Sequence, residues 1–227
     1  MNERMARCLR ILLVLFSLVL VLAGTQAQAE MYVAGQVGVT LPQDAEKIDY
    51  SSSIVPGVTL RGNDLELDKS VMYGAKLGYY FDSLKWLGLE TEVFNTTPHL
   101  KQQNVTIAGI SLGEVSGSYL RVLNWAPVNV VVRYQMGRLE PYAGIGLGLF
   151  FARLKDGQTG ESTSSNATPG INTQVGLRYR VTQNFAIFGE WKYNYARFNF
   201  DETPTAFSNI DATYRAHHLV FGVGYHF

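Results

Sequence analysis

Histidines are the first residues to consider for chemistry, because they bind metal ions and exchange protons near neutral pH. The chain has four of them, His99, His217, His218 and His226. His218 and His226 would share one face of a strand, but eight residues at about 3.4 Å each separate them by about 27 Å. That distance is too large for one metal ion. We therefore expect structural or interfacial histidines, no metal site and no cofactor.

Acidic residues are the second candidates. Glu90 and Glu92 would point to the same side of a strand, where they could act as acid and base. The acids in Asp64–Asp68 alternate in the same way, but no Gly turn gathers their oxygens around a Ca²⁺ ion. The glycines in Gly144–Gly148 lack the lysine and the strand-to-helix context that phosphate binding needs. We expect neither a calcium site nor a nucleotide site.

Other charged residues share the alternating face of Glu90 and Glu92. They are of both signs and lie in the middle of apolar segments. The set is Lys76, Glu90, Glu92, Arg133, Arg178, Glu190 and Lys192. Because isolated charges are costly to bury, residues in these positions must pair with one another. We predict that these seven side chains form a network inside the protein. The carboxylates then have a structural role, and we expect no catalytic residue.

The elements that position these charges have a period of two, which is typical of β-strands. In the last segment, Leu219, Phe221, Val223, Tyr225 and Phe227 alternate with small or polar residues. Eight such segments follow one another. They are Tyr32–Val39, Tyr73–Phe81, Trp86–Phe94, Val128–Tyr134, Ala143–Phe151, Ile171–Arg180, Phe185–Tyr195 and Leu219–Phe227. The start of the fourth strand could lie anywhere from Ser116 to Val128. Pro127 falls within this uncertain start and predicts a bulge or the outer end of the strand.

The connections alternate in length. Short turns are predicted at Asp82–Lys85, Gln135–Leu139 and Val181–Asn184, and long polar stretches at Leu41–Ser70, Asn95–Val115, Ala152–Pro169 and Asp201–Thr213. Partial alternation in Val105–Leu112 and Asp211–Tyr214 suggests that strands continue into these stretches. An even number of strands with short turns at one rim and long loops at the other is typical of bacterial outer-membrane barrels.

The residues on the two faces of the strands indicate which face contacts lipid and which lines the interior. The face without charges carries aromatic residues near the strand ends, as expected for the two aromatic belts of a lipid-facing wall. We place Tyr79, Phe81, Tyr134, Tyr179, Phe185, Tyr225 and Phe227 in the belt near the short turns, and Phe94, Phe151 and Tyr195 in the belt near the loops. An eight-stranded barrel is filled by side chains, so the charges would line its interior. Glycines on that face would leave room for lysine and arginine.

The first 29 residues are typical of an export signal. Arg4, Arg7 and Arg10 precede the apolar run Ile11–Leu22, and the small-residue site Ala27–Ala29 follows. We predict a cleaved signal peptide at 1–29 and one domain at 30–227. The leader holds three arginines and one glutamate, so removing it from a chain with 19 basic and 19 acidic residues leaves a formal charge of −2. This balance argues against nucleic-acid binding.

Two stretches carry a family resemblance. The run Gly137–Phe151 and the ending Leu219–Phe227 resemble the outer-membrane β-barrel domain family, which includes the outer membrane protein A barrel and opacity-type adhesins. The resemblance implies an all-β, eight-stranded antiparallel up-and-down transmembrane barrel. It also implies that the barrel assembly machinery reads the terminal aromatic and apolar pattern, which matches Phe221, Val223, Tyr225 and Phe227.

The sequence therefore predicts a monomeric, non-enzymatic protein of the bacterial outer membrane. Its expected partners are outer-membrane lipid and lipopolysaccharide, the assembly machinery and an extracellular ligand at the long loops, where binding sites of rigid scaffolds usually lie. Two alternatives remain open. One is an enzyme that modifies lipid A, although no histidine is followed two positions later by the Ser expected of a deacylase. The other is a narrow pore for solutes or ions.

Overall fold

Period-two alternation produces a closed barrel in the computed structural model of the chain. The structure describes residues 30–43, 49–52, 59–61, 67–101, 103–107, 110–115, 118–155, 160, 162–201 and 207–227. The predicted signal peptide and Asp64 and Glu66 lie outside these residues. No helix among the described residues is long and apolar enough to cross a membrane.

Eight long antiparallel strands follow one another around the barrel. They are β1 Glu30–Pro42, β2 Ser70–Tyr80, β3 Leu87–Thr96, β4 Tyr119–Arg133, β5 Leu139–Lys155, β6 Thr168–Arg180, β7 Phe185–Asp201 and β8 Phe207–His226. β1 closes the ring, since Val33 pairs with Leu77 of β2 on one side and with Tyr225 of β8 on the other. Closure leaves these strands without a free edge. The predicted fold is confirmed.

The start of the fourth strand, left open by the sequence, lies at Tyr119. Its register against β5 shifts between Trp125 and Val128, which face Leu149 and Leu147. Pro127 lies inside this irregularity, where a residue without an N–H costs no ladder hydrogen bond. The predicted bulge is confirmed.

Several strands are longer than predicted. β5 continues to Lys155, β7 reaches Asp201 and β8 begins at Phe207. The loops are therefore shorter than the predicted Ala152–Pro169 and Asp201–Thr213. The reason is that the outward residues of these strand ends become polar, as at Arg153 and Arg197, while the inward residues become apolar, as at Phe198. The apolar-outward alternation therefore stops before the hydrogen-bonded ladder does. The short turns agree with prediction, and Val181–Asn184 joins β6 to β7.

Short strands occupy parts of the predicted loops. Asp49–Ser52 pairs with the start of β8 and with Thr59–Arg61, and Ser162–Ser164 pairs with β5. Gln103–Ile107 and Ile110–Val115 form a separate two-stranded sheet, here called the loop hairpin. The alternation noted in Val105–Leu112 thus marks a hairpin of its own and not a continuation of a barrel strand.

The predicted orientation of the two faces is found in the structure. Val37, Val175 and Phe221 are 54%, 55% and 69% exposed, whereas Lys76 and Lys192 are buried. One aromatic residue was assigned to the wrong belt. Phe94 is 2% exposed and points into the barrel, because it has the parity of Glu90 and Glu92 on β3.

Glycines inside the barrel make room for aromatic rings, which corrects the expectation that they accommodate lysine and arginine. Each ring lies over the glycine opposite it on the next strand: Tyr32 over Gly78, Tyr80 over Gly88, Tyr142 over Gly176 and Phe188 over Gly222. A Cβ atom added to Gly78 would lie 2.1 Å from Cε1 of Tyr32. These positions therefore require glycine for packing.

Candidate functional site

Five of the seven predicted charges meet at the middle of the barrel. This central cluster consists of Lys76, Glu90, Glu92, Glu190 and Lys192. Lys76 Nζ lies 2.6 Å from Glu190 Oε2 and 3.3 Å from Glu90 Oε1. Lys192 Nζ lies 2.8 Å from Glu190 Oε1 and also contacts Glu92. Charges from β2 and β3 are thereby joined to charges from β7 across the interior.

Neutral side chains complete the hydrogen bonding of the central cluster. Gln174 Nε2 donates to Glu90 Oε1 at 2.9 Å, and Tyr142 donates its hydroxyl hydrogen to Glu190 Oε2 at 2.8 Å. Tyr32 donates to Glu90 and Gln36 donates to Glu92. The carboxylates of Glu90 and Glu92 thus accept from several donors each, which is the arrangement that makes buried ions tolerable.

The other two predicted charges, Arg133 and Arg178, belong to a second group near the short turns. This lower cluster consists of Glu30, Arg133, Glu140, Arg178, Arg180 and His226. Arg133 Nη2 lies 2.7 Å from Glu30 Oε2, and Arg180 Nε lies 2.5 Å from Glu140 Oε1. Arg178 Nη1 lies 3.5 Å from Glu140 Oε2.

Aromatic rings separate the two clusters. The guanidinium carbon of Arg133 lies 3.6 Å from the ring centre of Tyr80, and that of Arg178 lies 4.5 Å from the ring centre of Tyr32. Such stacking stabilises a buried guanidinium ion without using its hydrogen-bond donors. The same tyrosine rings lie over interior glycines, so packing and electrostatics depend on one another here.

Four members of the lower cluster were missed by sequence reasoning. Glu30, Glu140, Arg180 and His226 all have the inward parity, which was the available signal. They lie at the ends of strands, where a residue can equally be assigned to a turn. His226 Nδ1 lies 2.7 Å from Glu30 Oε1, which gives this histidine a structural contact of the expected kind.

Polarity changes along the interior towards the loops. Above the central cluster lie the buried amides of Asn124 and Asn172, the Thr40 hydroxyl and the His218 imidazole, with Thr40 Oγ1 2.9 Å from His218 Nδ1. An apolar plug follows, formed by Leu67, Leu100, Leu120, Val122, Phe150, Ala152, Ala196, Phe198, Tyr214 and Ala216. Leu67 and Leu100 come from the connections on either side of β2 and β3 and pair with each other as a β-bridge. The plug lies in the interior between the central cluster and the loop rim.

The remaining sequence candidates do not come together. Among the residues that the structure describes, no group of three or more His, Cys, Asp or Glu could hold a metal ion. Gly144, Gly146 and Gly148 lie in β5 and face Gln174, Asn129 and Asn124 on the strands beside it. They are strand glycines, as the sequence indicated.

The predicted assembly-signal residues lie on the outer wall. Phe221, Val223, Tyr225 and Phe227 are 69%, 55%, 38% and 72% exposed. Tyr225 packs edge to face with Phe185 and Phe227, with ring centres 5.1 Å apart in both pairs. The backbone N–H of Phe227 donates to Met31 at 2.9 Å, which brings the two ends of the described barrel to the same rim. Recognition of this pattern by the assembly machinery stays a prediction.

A comparison with protein-family profiles assigns the chain to a family. The profile described as "Outer membrane protein beta-barrel domain" matches residues 11–227. The chain belongs to this family. This outer-membrane barrel thus has its apolar wall against lipid and its paired charges inside, and it is located in the bacterial outer membrane. A sequence comparison with curated proteins finds no significant match.

Solved structures share the fold of this outer-membrane barrel at low sequence identity. Neisserial surface protein A is 17% identical with a TM-score of 0.52, over 86% of this chain and 96% of that one. OprG from Pseudomonas aeruginosa is 13% identical with a TM-score of 0.58, over 88% and 96%. AlkL, studied in DMPC bilayers, is 17% identical with a TM-score of 0.51, over 87% and 90%. At this level of identity, the similarity concerns the fold alone.

Proposed function

We propose that this outer-membrane barrel is a non-enzymatic protein with a structural or surface-interaction role, and that its extracellular loops carry the interaction. The observation that carries the proposal is the filled interior. Ion pairs occupy its middle, and the apolar plug closes it below the loops. A barrel closed in this way offers its outside surfaces for function.

The loop rim has a rigid base suited to binding. β7 and β8 stay paired as far as Asp201 and Asn209, and β4 and β5 as far as Tyr119 and Lys155. The loop hairpin extends this surface as a separate sheet. Loops held by a rigid scaffold are frequent binding sites, because little conformational entropy is lost when they bind.

An enzyme acting on lipid A would need its reactive groups on the lipid-facing wall. His217 has the outward parity there, but its ring stacks on Trp191 at 5.3 Å, packs against Tyr193 at 5.1 Å and lies within 3.2 Å of the Gln43 amide. Neither a serine hydroxyl nor a carboxylate is among these three neighbours. The surroundings of His217 favour an interfacial role.

Deletion of the loop hairpin tests the proposal, because among the described residues its two strands pair with each other and with no barrel strand. Cells without the protein, with the wild type or with a variant lacking 103–115 would be compared for adherence to surfaces coated with heparin, laminin or fibronectin. Resistance to SDS would report on envelope integrity. We expect the wild type to increase adherence, and the deletion to abolish the gain while SDS resistance is kept.

A control variant and a second readout complete the experiment. Lys85→Gln/Arg138→Gln alters exposed residues at the opposite rim and should leave adherence unchanged. Lipid A from the same cells would be analysed by mass spectrometry. A change in acyl chains that depends on the protein would replace the proposal with the enzyme alternative. Wild-type cells that match protein-free cells in both adherence and SDS resistance would also refute it.

A further inference from the structure

Three cations stand together on the outside of the barrel near the loop rim. This outer basic cluster consists of Arg121 on β4 and Arg153 and Lys155 on β5, and all three side chains are exposed. Arg121 lies directly opposite Arg153 in the antiparallel pair, and Lys155 lies opposite Tyr119. Like charges in directly opposed positions repel one another and destabilise the pair.

The cations inside the barrel, unlike those of the outer basic cluster, are paired with carboxylates. Lys76, Lys192 and Arg133 each contact at least one carboxylate. Within the described part of the chain, by contrast, no ion pair is formed between a carboxylate and Arg121, Arg153 or Lys155. A surface that gathers three cations is suited to an anion from outside the chain.

Neutral side chains hold the cluster in place. Arg153 Nη2 donates to Ser162 Oγ at 2.8 Å. The guanidinium carbon of Arg121 and Nζ of Lys155 both lie 5.9 Å from the ring centre of Tyr119. These contacts orient the long side chains through neutral partners, and no carboxylate of the described residues compensates their charge. Ordering them beforehand reduces the entropy lost on binding.

The position of the cluster identifies the anion. The next outward pair below Arg121 and Arg153 is Leu123 and Phe151, each 39% exposed on the wall that faces hydrocarbon. Two residues along a strand correspond to about 7 Å. The cluster therefore lies at the height where acyl chains end and lipid headgroups begin. At the loop rim, that headgroup belongs to the outer leaflet.

We propose that Arg121, Arg153 and Lys155 form a binding site for the phosphate groups of an outer-leaflet glycolipid, the lipid A part of lipopolysaccharide. The two arginines supply planar donor pairs that match phosphate oxygens, and Lys155 adds a third positive charge. The acyl chains of the same lipid would lie against Leu123 and Phe151. The site belongs to the wall and is independent of any ligand of the loops.

Lipid titration followed by native mass spectrometry tests the site. Folded protein in detergent would be titrated with diphosphorylated lipid A and, separately, with lipid A from which both phosphates have been removed. We expect the wild type to bind the diphosphorylated form at least about tenfold more tightly, since each basic residue near a lipid surface attracts anionic headgroups. Arg121→Gln/Arg153→Gln should lose this preference. That variant removes a repulsive pair, so it should fold.

The matched control is Lys85→Gln/Arg138→Gln, which removes two exposed cations at the short-turn rim and should keep the wild-type preference. Equal binding of the two lipids by the wild type would overturn the proposal, as would an unchanged preference in Arg121→Gln/Arg153→Gln. Soluble pyrophosphate that competes as effectively as diphosphorylated lipid A would also overturn it. The site would then bind free phosphate groups, and its position at the edge of the hydrocarbon would not contribute to binding.

Discussion

Lys76 on β2 and Glu190 on β7 meet across the interior of the barrel, with Nζ and Oε2 2.6 Å apart. Their side chains are 2% and 0% exposed. Strands β2 and β7 are not neighbours in the ring, so this ion pair connects parts of the wall that share no backbone hydrogen bonds. The pair therefore acts as a strut, and it makes the stability of the barrel depend on charge.

Removal of one partner of this pair should be far more harmful than removal of both. Lys76→Met leaves carboxylates with one cation fewer, and we expect a loss of about 3 to 5 kcal/mol in the free energy of unfolding. Lys76→Met/Glu190→Leu should be less destabilised than the sum of the single variants. Urea unfolding in lipid vesicles measures both. A Lys76→Met variant within about 0.5 kcal/mol of wild type, the usual effect of a surface substitution, would show that the strut is unimportant.

The glycine under Tyr32 gives a packing prediction. Gly78→Ala places a Cβ atom 2.1 Å from the tyrosine ring, so the ring must move, and we expect a loss of about 1 to 3 kcal/mol. Gly35→Ala is the control, because a Cβ atom there meets nothing within 4 Å. Both variants would be compared by urea unfolding. Equal stabilities for the two would contradict the packing of ring over glycine.

The faces of the strands could be predicted from the sequence, but the partners across the interior could not. Alternation assigns Lys76 and Glu190 to the inward face, because successive side chains of a β-strand point to opposite sides. It does not say which strand stands opposite, since that depends on how the ring closes. Glu140 was missed for another reason, as it lies next to a predicted turn. Arg121 and Arg153 lie where outward residues become polar, so the apolar pattern no longer marks the strand.

The closed interior predicts the electrical behaviour of the protein. In the part of the chain that the structure describes, ion pairs fill the middle of the interior and the apolar plug lies between them and the loops. We therefore expect the wild type in planar bilayers to show no steady conductance. Glu190→Ala and Arg133→Ala would be measured beside it. A steady wild-type conductance that changes in either variant would support the pore alternative and contradict the closed barrel.

The exposed Phe227 should affect assembly in cells more than the stability of the folded barrel. Its side chain is 72% exposed and packs on Tyr225, so Phe227→Ala should change the free energy of unfolding by less than about 1 kcal/mol. If the assembly machinery reads this residue, the amount of folded protein in the outer membrane should fall several-fold. Phe185→Ala, in the same aromatic belt, serves as the control. Equal amounts of both variants in the membrane would argue against a signal at Phe227.

The most direct test of the whole account asks which face of the strands touches lipid. Phe188 and Phe221 lie on neighbouring strands, 6% and 69% exposed, and point to opposite sides of the wall. In a background with Trp86, Trp125 and Trp191 changed to Phe, Phe221→Trp and Phe188→Trp each supply one fluorophore. In vesicles of lipids with brominated acyl chains, the tryptophan at 221 should be strongly quenched and that at 188 nearly unquenched. Equal quenching, or the reverse order, would contradict the account.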